Sequence, residues 1–344
     1  FIKNGFKVYL ILPNNGPLNN NKIIKKTNLK IINVGVFRKK YFNFFGLIDR
    51  LYYIIKSSLH IKNFLKNNNV DLVYINTSTI ISPSIAAKLI GIPSIYHIHE
   101  IPKGSAIYVK FIVLFLNNFA RNIICVSKSV KEFWINHGLK KNKLKIIYNG
   151  FNFKNYKYKN LKKDKIVFTC ISRIIPYKGH LILVELFDKI CKINNKIYLQ
   201  IVGDTLPEYQ KYLEILKLNV GKKGLSDKII FMGFQEDISS ILSVSNFFIH
   251  TPIEPDPLPT VIFEAIKSRT PVITNDLGGA YEILNDGKYG LFINNDLKEE
   301  ASNKILKYLN SHEAQKDNIN KALIYASNKF SKEKFERKIL KIIE

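Results

Sequence analysis

At 344 residues and 39.8 kDa the chain is long enough for two domains, and its 46% hydrophobic and 23% charged residues exclude a disordered tail. The longest uninterrupted apolar run, 111–116, falls far short of the ~18–20 residues of a membrane-spanning helix, and 8–13 is too short for a secretory signal. The net charge of +26 is lopsided: residues 1–160 hold 26 Lys and Arg against 4 acids, the remainder 27 against 23, so the first half is expected to meet an anionic partner.

The opening Phe1-Ile2-Lys3-Asn4-Gly5-Phe6 reads as the end of a helix, as if a first strand and glycine turn were missing ahead of it. Strands are then predicted over 7–12, 30–34, 70–75, 94–98, 122–126 and 145–148, alternating with helices over 45–67, 82–89, 105–119 and 130–137. A polar stretch rich in Lys and Asn, 149–164, reads as a linker. The alternation resumes with strands over 165–172, 197–202, 229–232, 247–250, 271–274 and 290–293, and with helices over 181–191 and 209–220. Strands this continuously apolar suit parallel sheets covered on both faces. The expected fold class is α/β: two Rossmann-like doubly wound domains facing each other across a cleft, with ligands at the C-terminal ends of the strands. The three cysteines, Cys125, Cys170 and Cys191, show neither a C-x-x-C pair nor metal-ligand spacing, which points to a reduced, cytoplasmic compartment.

No P-loop, dinucleotide fingerprint or Asp-x-Asp pair is present. Three clusters in the second half carry the chemistry instead. The first, Ser172-Arg173-Ile174-Ile175-Pro176-Tyr177-Lys178-Gly179, follows a predicted strand, and two cations at that sheet mouth can neutralise a diphosphate without a metal. Its plainer reading is a basic loop in a basic protein, against which stands the scarcity of Arg.

The second cluster runs from Glu254 to Ile266. Its prolines at 255, 257 and 259 forbid a helix, Thr260 can cap the helix that follows, and the amides of Thr260 and Val261 would then face an anion. Glu264 lies in an apolar run, where a carboxylate needs partners: ribose hydroxyls, or a neighbouring backbone. The third cluster, Asp276-Leu277-Gly278-Gly279-Ala280-Tyr281-Glu282-Ile283, allows a tight turn close to a ligand. In the first half, His97-Ile98-His99-Glu100 ends a strand. The two histidines share one face if the strand persists to Glu100, one of them being a packed strand residue; a zinc site is not expected from two ligands.

In this order and spacing the three clusters, joined by Cys125-Val126-Ser127-Lys128-Ser129-Val130, Ile147-Tyr148-Asn149-Gly150, Ile201-Val202-Gly203-Asp204 and Phe231-Met232-Gly233-Phe234, resemble the family 4 glycosyltransferases over nearly the whole chain. The resemblance implies a GT-B fold, with an acceptor-side domain over 1–157, a nucleotide-sugar domain over 158–328, and a C-terminal helix, 329–344, crossing back. It implies that Arg173 and Lys178 hold the donor diphosphate, that Glu264 binds the ribose, and that Asp256 takes the first position of the E-x7-E motif near the transferred sugar. Gly233 and Phe234 would meet the base, the main chain of Leu258, Pro259, Thr260 and Val261 would line the donor, and His99 would approach the reacting sugar. Two departures from the family pattern stand out. Asp256 replaces the usual Glu, so that Glu254 competes for its role, and Pro259 stands where many relatives carry Gly.

The expected activity is retaining transfer of a hexose from a nucleoside-diphosphate sugar, UDP-linked first among candidates, to a hydroxyl of a glycan or lipid-linked acceptor in polysaccharide or glycolipid synthesis. No metal or other cofactor is expected. The basic aromatic stretch 37–45 and the segment 47–67 suit an anionic membrane surface, hence a peripheral place at the inner membrane face, although an ordinary packed helix has the same periodicity. The rivals are a nucleotide-sugar epimerase on the same fold and a basic nucleic-acid or membrane-surface binding protein. The Arg-x4-Lys and E-x7-E-like spacing argues against the first. No nucleic-acid partner is expected, because no helix-turn-helix, zinc-finger or RNP pattern is present.

Overall fold

The computed structural model describes residues 1–16, 24, 27–34, 36, 44–154 and 164–344. The basic aromatic segment 37–43 and the expected domain boundary at 157 lie outside them. The chain divides into two compact units, Phe1–Tyr148 with Glu336–Glu344, and Asn149–Phe335.

The first unit opens on one helical turn, Ile2–Asn4, closed by Gly5 at φ 82°. Then come β1 (Tyr9–Leu12), β2 (Asn28–Ile31), α1 (Phe44–Asn67), β3 (Val73–Ile75), α2 (Ser82–Lys88), β4 (Ser94–Ile98), α3 (Ala106–Phe119), β5 (Asn122–Cys125), α4 (Lys128–Asn136) and β6 (Leu144–Ile146). Strands β3 to β6 form one parallel sheet in chain order. Among the described residues β1 and β2 pair only with each other, a departure from a single continuous sheet. Packing rather than backbone bonding ties this pair to the rest: Ile32 and Val34, just past β2, are buried with Ile61 and Leu65 of α1 and Ala86 and Ala87 of α2. Ser105 and Ser127 accept hydrogen bonds from Tyr108 N–H and Val130 N–H, capping α3 and α4 at the C-terminal edge of the sheet.

The second unit contains β7 (Ile166–Ile171), α5 (His180–Ile193), β8 (Ile197–Val202), α6 (Gln210–Lys222), β9 (Ile229–Gly233), α7 (Ile238–Ser243), β10 (Phe247–His250), α8 (Thr260–Lys267), β11 (Val272–Thr274), α9 (Ala280–Ile283), β12 (Leu291–Phe292), α10 (Lys298–Leu309) and α11 (His312–Lys329). The chain re-joins the first unit within α12 (Lys332–Ile343). All six strands are parallel, in the order β12-β11-β10-β7-β8-β9. From β7 the chain winds outward through β8 to β9, then returns to β7's other side and winds out through β10 to β12. The direction reverses between β7 and β10, and loops leaving those two strands part to opposite faces, opening a crevice at their C-terminal ends. Buried aromatic rings fix that central pair: Phe168 on β7 stacks on Phe247 of β10 at 5.0 Å and meets Phe187 of α5 edge-on at 5.2 Å.

The linker reading of 149–164 needs correcting at its start. Phe151 and Phe153 set their rings 5.5 and 5.9 Å from Phe263 of α8, and Phe330 closes the cluster at 4.9 Å from Phe263. Phe151 N–H also donates to the Phe330 carbonyl at 2.8 Å. These aromatics are an anchor that braces α8 from behind.

Candidate active site

The crevice of the second unit is furnished by the loops after β7, β10 and β11. The β7 loop carries Arg173 and, five residues on, Lys178. It is pressed against the β10 loop at Gly179, where a Cβ would stand 1.8 Å from the Thr251 carbonyl oxygen; φ there is +73°, which glycine alone adopts without strain. The β10 loop, 251–259, is in turn clamped by the third cluster. Asp256 bridges Gly278, and Gly279 N–H donates to the Asp256 carbonyl at 2.8 Å. A Cβ on Gly278 would meet that same carbonyl at 2.1 Å. The glycine pair therefore serves close approach of the chain to itself, where the sequence suggested approach to a ligand.

Within this frame Lys178 Nζ forms an ion pair with Asp256 Oδ2, each side chain only 18% accessible. The two residues assigned separately from the sequence, one to a diphosphate and one to a sugar, are thus partners. Arg173 is exposed, and among the described residues its guanidinium has no hydrogen bond or ion pair. Its fork stays open to an external anion.

α8 begins at Thr260, with Pro259 as its N-cap and no side-chain cap bond. The expected capping role of Thr260 fails because Pro259, held at φ −68°, already supplies the entry geometry. Thr260 is the exposed first helical residue, and its N–H and that of Val261 are not consumed within the helix. Leu258 and Pro259 are buried, so they can offer a ligand main chain only. Glu264 is half-buried and makes no hydrogen bond or ion pair among the described residues; burial raises its carboxyl pKa, with Lys267 opposing. At the end of β9, Gly233 accepts from Gly203 N–H at 2.8 Å, and Phe234 stands 71% exposed.

Two buried histidines beneath the crevice escaped the sequence reading. His180 Nε2 lies 3.1 Å from Ser172 Oγ. His250, the last residue of β10, is fully buried with no hydrogen-bond partner for either ring nitrogen among the described residues. Burial, aided by Lys178, holds His250 down at about 3 and His180 at about 4, so both are neutral. The signal available was a polar residue in each case at a strand or helix end beside a loop glycine or proline.

In the first unit, β4 ends at Ile98, so Glu100 leaves the strand alternation. Its Oε1 accepts from Thr77 Oγ1 at 2.6 Å, from Ser78 N–H at 2.5 Å and from Ser78 Oγ at 2.7 Å, and Oε2 accepts from His99 N–H at 3.0 Å. One carboxylate therefore ties the β3 and β4 loops together. His99 Nε2 bonds Asn76 Oδ1 at 2.9 Å. His97 is the packed member: it is buried, bonded to Tyr74 OH at 2.8 Å, and held by burial, with some help from His99, at about 3. The two rings lie 4.1 Å apart, as a shared face requires. Among the described residues no group of three or more His, Cys, Asp or Glu side chains is placed to hold a metal, and the three cysteines are free.

Two Rossmann-like units in one chain, the second with cations at its switch point, define the GT-B class of α/β proteins. The chain belongs to the glycosyltransferases: residues 152–324 match the family described as glycosyl transferases group 1, and residues 1–154 match glycosyltransferase family 4. It is 26% identical over 249 residues to the Escherichia coli UDP-Gal:alpha-D-GlcNAc-diphosphoundecaprenol alpha-1,3-galactosyltransferase, covering 65% of this chain but 62% of that one, less than two thirds of its length. It is 23% identical to the Campylobacter jejuni N-acetylgalactosamine-N,N'-diacetylbacillosaminyl-diphospho-undecaprenol 4-alpha-N-acetylgalactosaminyltransferase, over 83% of this chain and 80% of that one. Among solved structures, Anabaena HepE in complex with UDP and glucose superposes with a TM-score of 0.80 at 23% identity, over 97% of this chain and 91% of that one.

Proposed function

We propose that the protein transfers a hexose from a nucleoside-diphosphate sugar to a hydroxyl of a lipid-linked or glycan acceptor, with retention of anomeric configuration, in the synthesis of a surface polysaccharide or glycolipid. Supporting a UDP-linked donor is the likeness to HepE, whose structure holds UDP and glucose. A lipid-linked acceptor is supported by two relatives named for diphosphoundecaprenol substrates.

The observation that carries this reading is the crevice of the second unit. It combines an unengaged guanidinium, an ammonium held by Asp256, and the first-turn amides of α8. Positive groups fixed before the reaction stabilise charge as it develops on a leaving diphosphate. As the bond from anomeric carbon to diphosphate oxygen breaks, Arg173 forks onto the departing oxygens and Lys178, oriented by Asp256, adds a point charge. The acceptor oxygen bonds the anomeric carbon from the same face, and its proton passes to the leaving diphosphate. This scheme asks for no metal, since the cations are already present. Glu264, a half-buried carboxylate with no hydrogen bond or ion pair among the described residues, takes the two ribose hydroxyls. Phe234 offers its exposed face to the base.

Calorimetric titration with UDP, GDP and ADP, each with and without magnesium, tests the proposal. UDP is expected to bind, equally well in a chelator, and to lose most of that affinity in Arg173→Ala. No binding of any nucleoside diphosphate would reject the donor site; a strict magnesium requirement would reject the metal-free scheme.

A further inference from the structure

The β10 loop is held by Gly179 on one side and by Gly278 and Gly279 on another, and also from a third side that is buried. Strands β10, β11 and β12 stand side by side, with His250 opposite Thr274 and Thr274 opposite Phe292. Just past their ends lie Thr251 and Pro252, Asn275, and Asn295, all of them buried. Both asparagine side chains turn to one atom. Asn275 Nδ2 donates to the Pro252 carbonyl, and Asn295 Nδ2 donates to it at 3.0 Å and to the Thr251 carbonyl at 3.3 Å. An amide oxygen in either place would repel the carbonyl, so N–H is the group that faces it.

This arrangement carries a cost. Among the described residues neither Asn275 Oδ1 nor Asn295 Oδ1 has a hydrogen-bond partner, although both are buried. One donor satisfies a carbonyl, and an apolar side chain at the other position would spare the fold an unpaired oxygen. What the second donor adds is direction. Hydrogen bonds to a carbonyl lie near the plane of its peptide, so two donors fix that plane where one leaves it free to tilt. The plane matters because the same peptide carries the Ile253 N–H, which donates to the Tyr177 carbonyl at 3.0 Å, directly ahead of Lys178. Four residues beyond Pro252 stands Asp256, which holds the Lys178 ammonium. A tilt of this one rigid unit would shift the support of both members of the ion pair.

We propose that Asn275 and Asn295 are positioning residues for the donor site: by pinning the Pro252–Ile253 peptide they keep Lys178 and Asp256 where a donor diphosphate meets them. The proposal rests on the donor-site reading and extends it to two residues buried behind the loop. Its effect falls on the phosphates. Glu264 and Phe234, assigned to ribose and base, stand on α8 and after β9 and take no support from this peptide.

The test compares UDP with UMP, which lacks the second phosphate, in calorimetric titrations of the whole chain carrying Asn275→Leu or Asn295→Leu. Each variant leaves the Pro252 carbonyl one donor and removes one unpaired oxygen, so the melting temperature should stay near that of wild type. UDP affinity is expected to fall about fivefold or more, the worth of one hydrogen bond, while UMP affinity holds. The Ile253 N–H should also exchange with deuterium faster than in wild type. Asn275→Ser and Asn295→Ser, whose hydroxyl stops short of the carbonyl, serve where leucine is not accommodated. Unchanged UDP affinity in a folded variant overturns the proposal even if exchange is faster, because the two amides would then steady the loop alone. Equal losses of UDP and UMP overturn it too, since they mark general damage. Unchanged Ile253 exchange rejects the clamp whichever nucleotide binds. Wild-type chain that binds neither nucleotide rejects the UDP donor reading itself, a result that no asparagine variant enters.

Discussion

Arg173 and Glu264 show what exposure and burial do to single charged groups. Among the described residues Arg173 has no hydrogen bond or ion pair to lose, so Arg173→Ala should leave the melting temperature unchanged while turnover with a nucleotide-sugar donor drops about a hundredfold or more, the usual effect of deleting one preorganised charge donor. Wild-type turnover would remove Arg173 from the site. Glu264 behaves oppositely. Burial raises its folded-state pKa above the unfolded value, so the folded protein holds this proton more tightly and the ionised carboxylate costs stability once pH exceeds the folded pKa. Glu264→Gln should therefore be more resistant to urea than wild type at neutral pH, the difference closing as pH falls through the carboxylate range, while donor affinity declines. A variant less stable at neutral pH would mean that the carboxylate has a structural partner instead. The Lys178–Asp256 pair was invisible in the sequence because its members lie far apart in the chain; only the return of β10 to the side of β7 makes them neighbours.

At the scale of elements, the central strands β4, β5, β7, β10 and β11 were legible because each is a short, largely buried apolar run that needs no partner to be read, whereas β2, with a polar and mostly exposed sequence, was read two residues late. Helix α11 was not. Its polar sequence presents a narrow buried face, only Ile319, Ala322 and Ala326, too small for periodicity to register. Two contacts position α8 and the loop before it. Gly179→Ala would force a Cβ onto the Thr251 carbonyl at a positive φ, and should destabilise the protein by ~2 kcal/mol or more in chemical denaturation. Phe330→Ala, which empties the aromatic cluster behind α8, should cost about 3–5 kcal/mol and weaken UDP binding through loss of α8's backing. UDP affinity unchanged in a folded Phe330→Ala would show that α8 is held by its own loop.

For the molecule as a whole, three buried neutral histidines set the acid limit. His97, His180 and His250 have folded-state pKa values of about 3, 4 and 3, below the ordinary 6.5, so the unfolded chain binds their protons first. Stability is then fully present above the unfolded pKa and is lost as pH falls toward the folded values. Urea unfolding followed from pH 7 to 4 should show a decline of up to ~1.4 kcal/mol per pH unit per histidine. A flat profile would mean that these rings are hydrated in solution.

The sequence by itself determined the two-unit α/β architecture, the parallel sheets and the family, because these follow from local apolar runs, turn residues and motif order, all of which are properties of contiguous chain. It also singled out Arg173, Glu264 and the start of α8 as candidates. Tertiary structure alone decided that Asp256 holds Lys178, that Glu100 ties two loops instead of facing solvent, that a linker's phenylalanines brace α8, and that two buried asparagines meet on the Pro252 carbonyl. Each of these depends on which segments the sheet order brings side by side, and a carboxylate or a buried amide acquires its role only from what stands, or does not stand, against it.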